Sequence, residues 1–276
     1  MFLLADIGGT NTRLALADES SVRSETGAVF SNDSFASFDR VLDTYLRDQN
    51  APMLSAACFA IAGPVIGETA RLTNRDWTFD TAALGRHLKA PATLVNDLEA
   101  LAMALPFLSE TEKDVLVSAS QPGNGQYLAV GVGTGMNLCA LRKGPMGTTA
   151  LRAEYGHAPL PFTLCDQLSE WDLPIPESVE NLFSGRGLRA FRDAGGSDPQ
   201  YAGLLGLLCA ALAAQYLPRN GIFLAGGVAR AILSENPTPF AIPYSVACPN
   251  EAGIPPVSLV TSDIAALNGC LAALNS

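Results

Sequence analysis

Three short stretches carry residue types that could do chemistry. The first, Asp6-Ile7-Gly8-Gly9-Thr10-Asn11, puts a carboxylate ahead of two glycines and two short polar residues. Glycines open backbone torsions closed to other residues and let a main chain approach a ligand. Such a turn offers several N–H groups to an anion, and Asp6 could hold a hydrated divalent metal. An ordinary glycine hairpin turn is the plainer alternative. The second, Asn96-Asp97, follows the apolar run Ala92–Val95 and precedes a helical pattern. Open α/β sheets place ligand chemistry at that position, although either residue could simply cap the helix. The third is Glu154-Tyr155-Gly156-His157, which contains one of only two histidines. A Glu-x-x-His pair on a helix could be half of a di-metal site. Gly156 inside the pair and Pro159 after it argue against a helix, and there is no second such pair. A loop presenting both side chains to a polyol fits better, because carboxylate and imidazole accept and donate hydrogen bonds; a solvated loop is the alternative.

These stretches need strands and helices to position them. Phe2–Ala5 reads as a buried strand, and the apolar residues Leu14 and Leu16 after the turn make a hairpin. Tyr127–Leu141 repeats the plan around Gly133-Thr134-Gly135, a weak internal repeat that fits a duplicated fold with one phosphate-gripping hairpin in each half. It is not a dinucleotide fingerprint, since Met136 stands where glycine is needed, and no G-x-x-x-x-G-K-[ST] loop exists. A third glycine pair, Gly226-Gly227, closes a strand from Gly221 and would let the backbone approach an adenosine. Leu54–Ala62 reads as a buried strand and Ile66–Trp77 as a further strand, with Thr73-Asn74 at its end and Trp77 plugging the core. Helical spacing marks Phe38–Asp48 with Ser37 as cap, Thr81–Leu88, Leu98–Phe107, Leu188–Asp193 and Tyr201–Leu217; a short helix starts at Glu177. Ser109–Gly125 reads as a polar connection and Cys165–Pro176 as a surface loop. Asp263–Leu274 reads as a closing helix that folds back on the N-terminal half.

At 276 residues, 48% apolar and 16% charged, the chain suits one large or two small globular domains. Its net charge of −10 argues against nucleic-acid partners and anionic membranes, but not against a nucleotide ligand. Asp6 interrupts the apolar start, so no secretion signal is expected. The apolar run Leu204–Leu217 is too short to span a membrane and contains Gln215. The six cysteines show no C-x-x-C spacing. They are expected to be reduced core thiols of a cytoplasmic protein, with no zinc site.

Read together, Asp6-x-Gly8-Gly9-Thr10-Asn11-x-Arg13-Leu14-Ala15-Leu16, Ala60–Gly67 followed by Leu72–Trp77, and Val95-Asn96-Asp97-Leu98-Glu99-Ala100 resemble the signatures of bacterial glucokinases. This is the ATP-dependent branch of the sugar kinase and actin superfamily. Glu154–His157 and Val179–Leu188 resemble the family's sugar loop and a further sugar-contacting segment, and the motifs run in order from residue 3 to about residue 269. The resemblance implies two actin-like (ribonuclease H-like) α/β domains with mixed sheets and flanking helices around a hinged cleft. The small domain would be 1–107 plus 263–276 and the large one 108–262. The implied activity is ATP-dependent phosphorylation of glucose to glucose 6-phosphate, with Asp97 as base. Asn96, Asp97, Glu154, His157 and Glu180 would hold the sugar; Glu180 is singled out by the resemblance alone. Gly8, Gly9, Thr10, Asn11, Gly133, Thr134, Gly135, Gly226 and Gly227 would hold the nucleotide, with Asp6 near Mg²⁺ through water. A cytoplasmic homodimer is implied as well.

The chain departs from the family pattern in several places. Tyr155 replaces a glycine, Arg152-Ala153 stands where Pro-Gly is usual, and Asn137 stands where glycine is common. The interval from Leu188 to Gly221 is shorter by about a helix. The alternatives are a kinase for another hexose or an amino sugar, and a non-catalytic sugar-sensing relative.

Overall fold

Phe2–Ile7 (β1) and Asn11–Ala17 (β2), the apolar runs on either side of the first glycine turn, pair antiparallel with Asp6 opposite Arg13. The computed structural model describes residues 1–248 and 253–276. They form two compact units, 1–104 with 263–276 and 105–262.

In the first unit, Ala28–Ser31 (β3), Ala56–Ile61 (β4) and three later strands, Val65–Ile66 (β5), Thr69–Arg71 (β6) and Thr78–Asp80 (β7), lead to Ala92–Asn96 (β8). The main sheet has the order β3-β2-β1-β4-β8, with β1, β4 and β8 parallel; β5, β6 and β7 make a small antiparallel sheet. Side chains alternate between its two faces, as strand geometry requires. Leu3, Ile7 and Phe59 meet Phe38, Val41 and Leu42 of helix Phe38–Asp48 (α1) on one face. Leu4, Cys58 and Ala60 meet Leu267, Cys270 and Leu271 of the C-terminal helix, Ala265–Leu274, on the other. Thr81–Leu88 (α2) and Asp97–Ala104 (α3) complete the unit. The C-terminal helix crosses α3 so closely that a Cβ at Gly269 would overlap the Ala100 carbonyl.

Three local expectations are corrected here. Ile66–Trp77 is not one strand: β5 and β6 turn back at Gly67 (φ 59°), and Thr73-Asn74 lies in a bend between β6 and β7. Ser37 stands at the cap position of α1 without accepting a capping bond, whereas Asp80 accepts the Ala83 N–H at 2.7 Å and caps α2. The helix after Asn96 ends at Ala104 and a single 3₁₀ turn follows. Trp77 is buried in the core beside Phe38, as expected, with the Arg75 guanidinium 5.1 Å from its ring.

In the second unit, the strands are Lys113–Val117 (β9), Gln126–Val132 (β10), Met136–Gly144 (β11), Gly147–Ala153 (β12), Ile222–Ala225 (β13) and Val257–Val260 (β14). Their order is β12-β11-β10-β13-β14-β9, with β10, β13 and β14 parallel. Apart from the antiparallel edge strand β9, this repeats the order of the first sheet, so the weak hairpin repeat marks a duplicated topology. The helices are Phe162–Glu170 (α4), Val179–Leu182 (α5), Gly185–Asp193 (α6), Asp198–Tyr216 (α7), Gly227–Leu233 (α8) and Thr238–Ala247 (α9). The buried α7 begins at a Ser197–Gln200 capping box with Pro199 in its first turn.

Two expectations fail in this unit. The supposed loop from Cys165 is helical to Glu170, because Leu164 and Leu168, four residues apart, are both buried. The polar connection Ser109–Gly125 contains β9, which closes the sheet edge against β14. All six cysteines are free thiols and five are buried. Among the described residues, no helix is long and apolar enough to cross a membrane.

Candidate active site

The parallel strands β1, β4 and β8 bring their C-terminal ends side by side, with Asp6 level with Ala60 and Ala60 level with Val95. Asp97 follows two residues later as the first residue of α3. Arg13 reaches across the hairpin to Asp6 at 3.6 Å. Burial raises the Asp6 carboxyl above its usual range, with the Arg13 charge working against that rise. Asp97 is pushed up to about 6, first by burial and then by the negative charge of Asp6, while hydrogen bonds from the Leu98 N–H and Asn96 pull it down. The Leu98 N–H is shared between Asp97 Oδ1 at 2.8 Å and Asn96 Oδ1 at 3.1 Å. Capping and chemistry are therefore not exclusive for this pair. The Asn96 amide also donates to the Gly63 carbonyl at 3.1 Å, fixing its orientation. A carboxylate that titrates near 6 is mostly ionised at neutral pH yet basic enough to accept a proton.

The first glycine turn closes through the Gly8 N–H to the Asn11 carbonyl at 2.9 Å. Neither Gly8 nor Gly9 has a positive φ, so the torsional freedom invoked from the sequence is not used. What the turn offers instead is donors: the N–H groups of Gly9 and Thr10 carry no hydrogen bond among the described residues.

In the second unit, the β10–β11 turn closes from the Gly133 N–H to the Gly135 carbonyl at 2.9 Å, and the Gly133 carbonyl accepts the Gly185 N–H at 2.7 Å. The N–H groups of Thr134 and Gly135 are unengaged among the described residues. The β13–α8 turn lies against this hairpin. Gly226 adopts φ 103°, and a Cβ there would run into the Val132 carbonyl, so this position requires glycine on both counts. The structure thus brings Gly133 together with Gly226 and Gly227.

The same hairpin holds the two glutamates. Asn137 donates to Glu154 Oε2 at 2.9 Å and accepts the Tyr155 N–H at 2.9 Å. His157 ends the 3₁₀ turn Tyr155–His157 that begins beside Glu154, so the stretch is not α-helical. Glu180, on α5, accepts the Met136 N–H at 3.2 Å through Oε2 and pairs with Arg186 at 3.0 Å through Oε1. Adjacent residues at the start of β11 therefore anchor both carboxylates. Asn137 and Arg186 were missed as site residues. The signal for Asn137 was its presence where the resemblance leads one to expect glycine; for Arg186 there was none.

Among the described residues, no three His, Cys, Asp or Glu side chains cluster to hold a metal alone. Magnesium usually keeps several waters and takes one or two carboxylates together with substrate phosphates. Asp6, an oxygen donor at a strand end beside the free donors of the first turn, fits that manner of binding.

Two mixed sheets that share a strand order, each containing a hairpin closed by a glycine turn, give the chain the actin-like fold of the glucokinase structures. A glucokinase from an Antarctic psychrotroph superposes with a TM-score of 0.80 at 25% identity, over 100% of this chain and 99% of that one. The chain belongs to the glucokinase family, whose model matches residues 3–196. It is 32% identical to a glucokinase of Photorhabdus laumondii over 193 residues, 67% of this chain and 59% of the relative. It is also 32% identical to one of Escherichia fergusonii over 157 residues, 56% of this chain and 48% of the relative. The chain thus spans about half the length of the curated relatives it matches.

Proposed function

We propose that this protein transfers the γ-phosphoryl group of ATP to the 6-hydroxyl of glucose. The observation that carries the reading is Asp97. It stands at the head of α3, is raised to about 6 by burial and by Asp6, and lies in one unit with a glycine turn bearing unengaged N–H donors. In this role Asp97 accepts the hydroxyl proton and orients the nucleophile. Phosphoryl transfer has a loose transition state, so positioning and charge neutralisation outweigh base strength. The donors of the turn from Gly8 to Asn11 and of Gly133–Gly135 hold phosphate oxygens, and Gly226 and Gly227 admit the adenosine. Asn96, Glu154, His157 and Glu180 hold the sugar hydroxyls. Asp6 would hold Mg²⁺ through water, and the ion would supply charge neutralisation for the phosphates. Family membership further supports a cytoplasmic homodimer.

The test is ADP release from Mg-ATP on addition of glucose, mannose, fructose, glucosamine or N-acetylglucosamine. Strongest stimulation by glucose supports the reading, and strongest stimulation by another sugar reassigns the acceptor. No stimulation by any of the five, with sugar binding evident by calorimetry, overturns it in favour of a sugar sensor.

A further inference from the structure

Thr12 and Asn32, both fully buried, lie directly behind the first glycine turn. Burying an amide is unfavourable unless its hydrogen bonds are met. Asn32 meets them on the turn itself. Its Nδ2 donates to the Gly8 carbonyl at 2.8 Å, its Oδ1 accepts the Thr12 hydroxyl at 2.7 Å, and its backbone N–H donates to the Thr10 carbonyl at 2.8 Å. Arg75 Nε donates to the remaining carbonyl, that of Gly9, at 3.4 Å. The Arg75 guanidinium is itself steadied by an ion pair with Asp33 and by the Trp77 ring.

The three consecutive carbonyls of Gly8, Gly9 and Thr10 are therefore all tied back by donors, while the N–H groups of Gly9 and Thr10 are left unengaged. Carbonyl oxygens repel an anion and N–H groups attract one, so tying back the first exposes only the attractive half of the peptide dipoles. Donors fixed in advance also avoid the reorganisation cost that a mobile turn would incur on binding. We infer that Asn32 and Arg75 are positioning residues that preorganise this turn to bind the terminal phosphates of a nucleotide. The inference rests on the phosphate-binding role proposed for the turn. Neither residue needs to touch the ligand, since both act through backbone carbonyls.

The experiment compares wild type with Asn32→Ala and, because the first variant removes a buried group, with Arg75→Met at a partly exposed site. The readouts are the KM for ATP, the KM for glucose, and calorimetric affinities for ADP and AMP. The expected result is a rise in ATP KM of about tenfold for Asn32→Ala and a smaller rise for Arg75→Met, as for lost buried hydrogen bonds. ADP binding should weaken in parallel, while AMP affinity and glucose KM stay within about twofold. Loss of a merely structural group would weaken all ligands alike and would overturn the inference, as would an unchanged ATP KM in both folded variants. A wild-type protein that binds no ATP or ADP would instead refute the phosphate role of the turn, and the inference with it.

Discussion

Replacing Asp97 by asparagine should make the protein more stable while disabling it. The carboxyl titrates at about 6 in the folded chain against an ordinary 3.8. The folded state therefore holds this proton more tightly than the unfolded state does. Each tenfold change in proton affinity corresponds to about 1.36 kcal/mol, so the ionised group weakens folding by about 3 kcal/mol at neutral pH. Asparagine keeps an amide oxygen that can accept the Leu98 N–H, so the start of α3 keeps its cap, while the charge and its repulsion by Asp6 disappear. Linkage fixes the sign and the window. Wild type has its full stability from this group below pH 3.8, where both states are protonated, and loses it as pH rises through about 6. The gain from asparagine is thus expected to be about 2–3 kcal/mol at pH 7.5, to shrink between pH 6 and 4, and to vanish below. Urea unfolding followed by tryptophan fluorescence measures it. The chain has two tryptophans, so in a Trp171→Phe background Trp77 alone reports on the first unit. Turnover should fall by on the order of 10²-fold or more. A variant no more stable than wild type at pH 7.5, or equally stabilised at pH 7.5 and 4.5, would refute the assignment of a destabilising buried charge.

The same carboxyl should govern the acid limb of the pH–rate profile. kcat/KM is expected to fall about tenfold per pH unit below an apparent pKa near 6 and to be level between pH 7 and 8; a limb near pH 4 would contradict this. In the second unit, Asn137→Ala removes the amide donor of Glu154 and the acceptor of the Tyr155 N–H. Initial-rate kinetics should show glucose KM raised about tenfold with ATP KM unchanged, and an unchanged glucose KM would sink the proposed sugar role of Glu154.

What the amino-acid sequence discloses depends on how local the cause is. Strand, glycine turn and strand are contiguous, so both hairpins could be read directly, and the repeat they form anticipated two sheets of one order. The strand end and helix start that meet at Asp97 could be read locally, although the rise of its pKa depends on burial and then on Asp6, ninety-one residues earlier in the chain. The clamp formed by Asn32 was invisible, since its partners Gly8 and Thr12 lie 24 and 20 residues away and nothing in its own surroundings distinguishes it from a turn asparagine. Helix α4 was missed because acidic and proline residues around Asp172 outweighed a single buried pair, Leu164 and Leu168. Strand β9 was missed because three of its five side chains, Lys113, Asp114 and Val115, are polar or exposed, as is usual for an edge strand.

The C-terminal helix belongs to the unit that begins the chain, packed on β1, β4 and α3 with no room for a side chain at Gly269. The order of synthesis and the order of completion are therefore reversed. Residues 105–262 form a continuous unit that can close as soon as it leaves the ribosome, whereas residues 1–104 must wait for residues 263–276, made after that unit. Until then the sheet face bearing Leu4, Cys58 and Ala60 lacks its cover. The nascent chain thus carries its first glycine turn and Asp97 on a half-finished support until residues 263–276 have emerged.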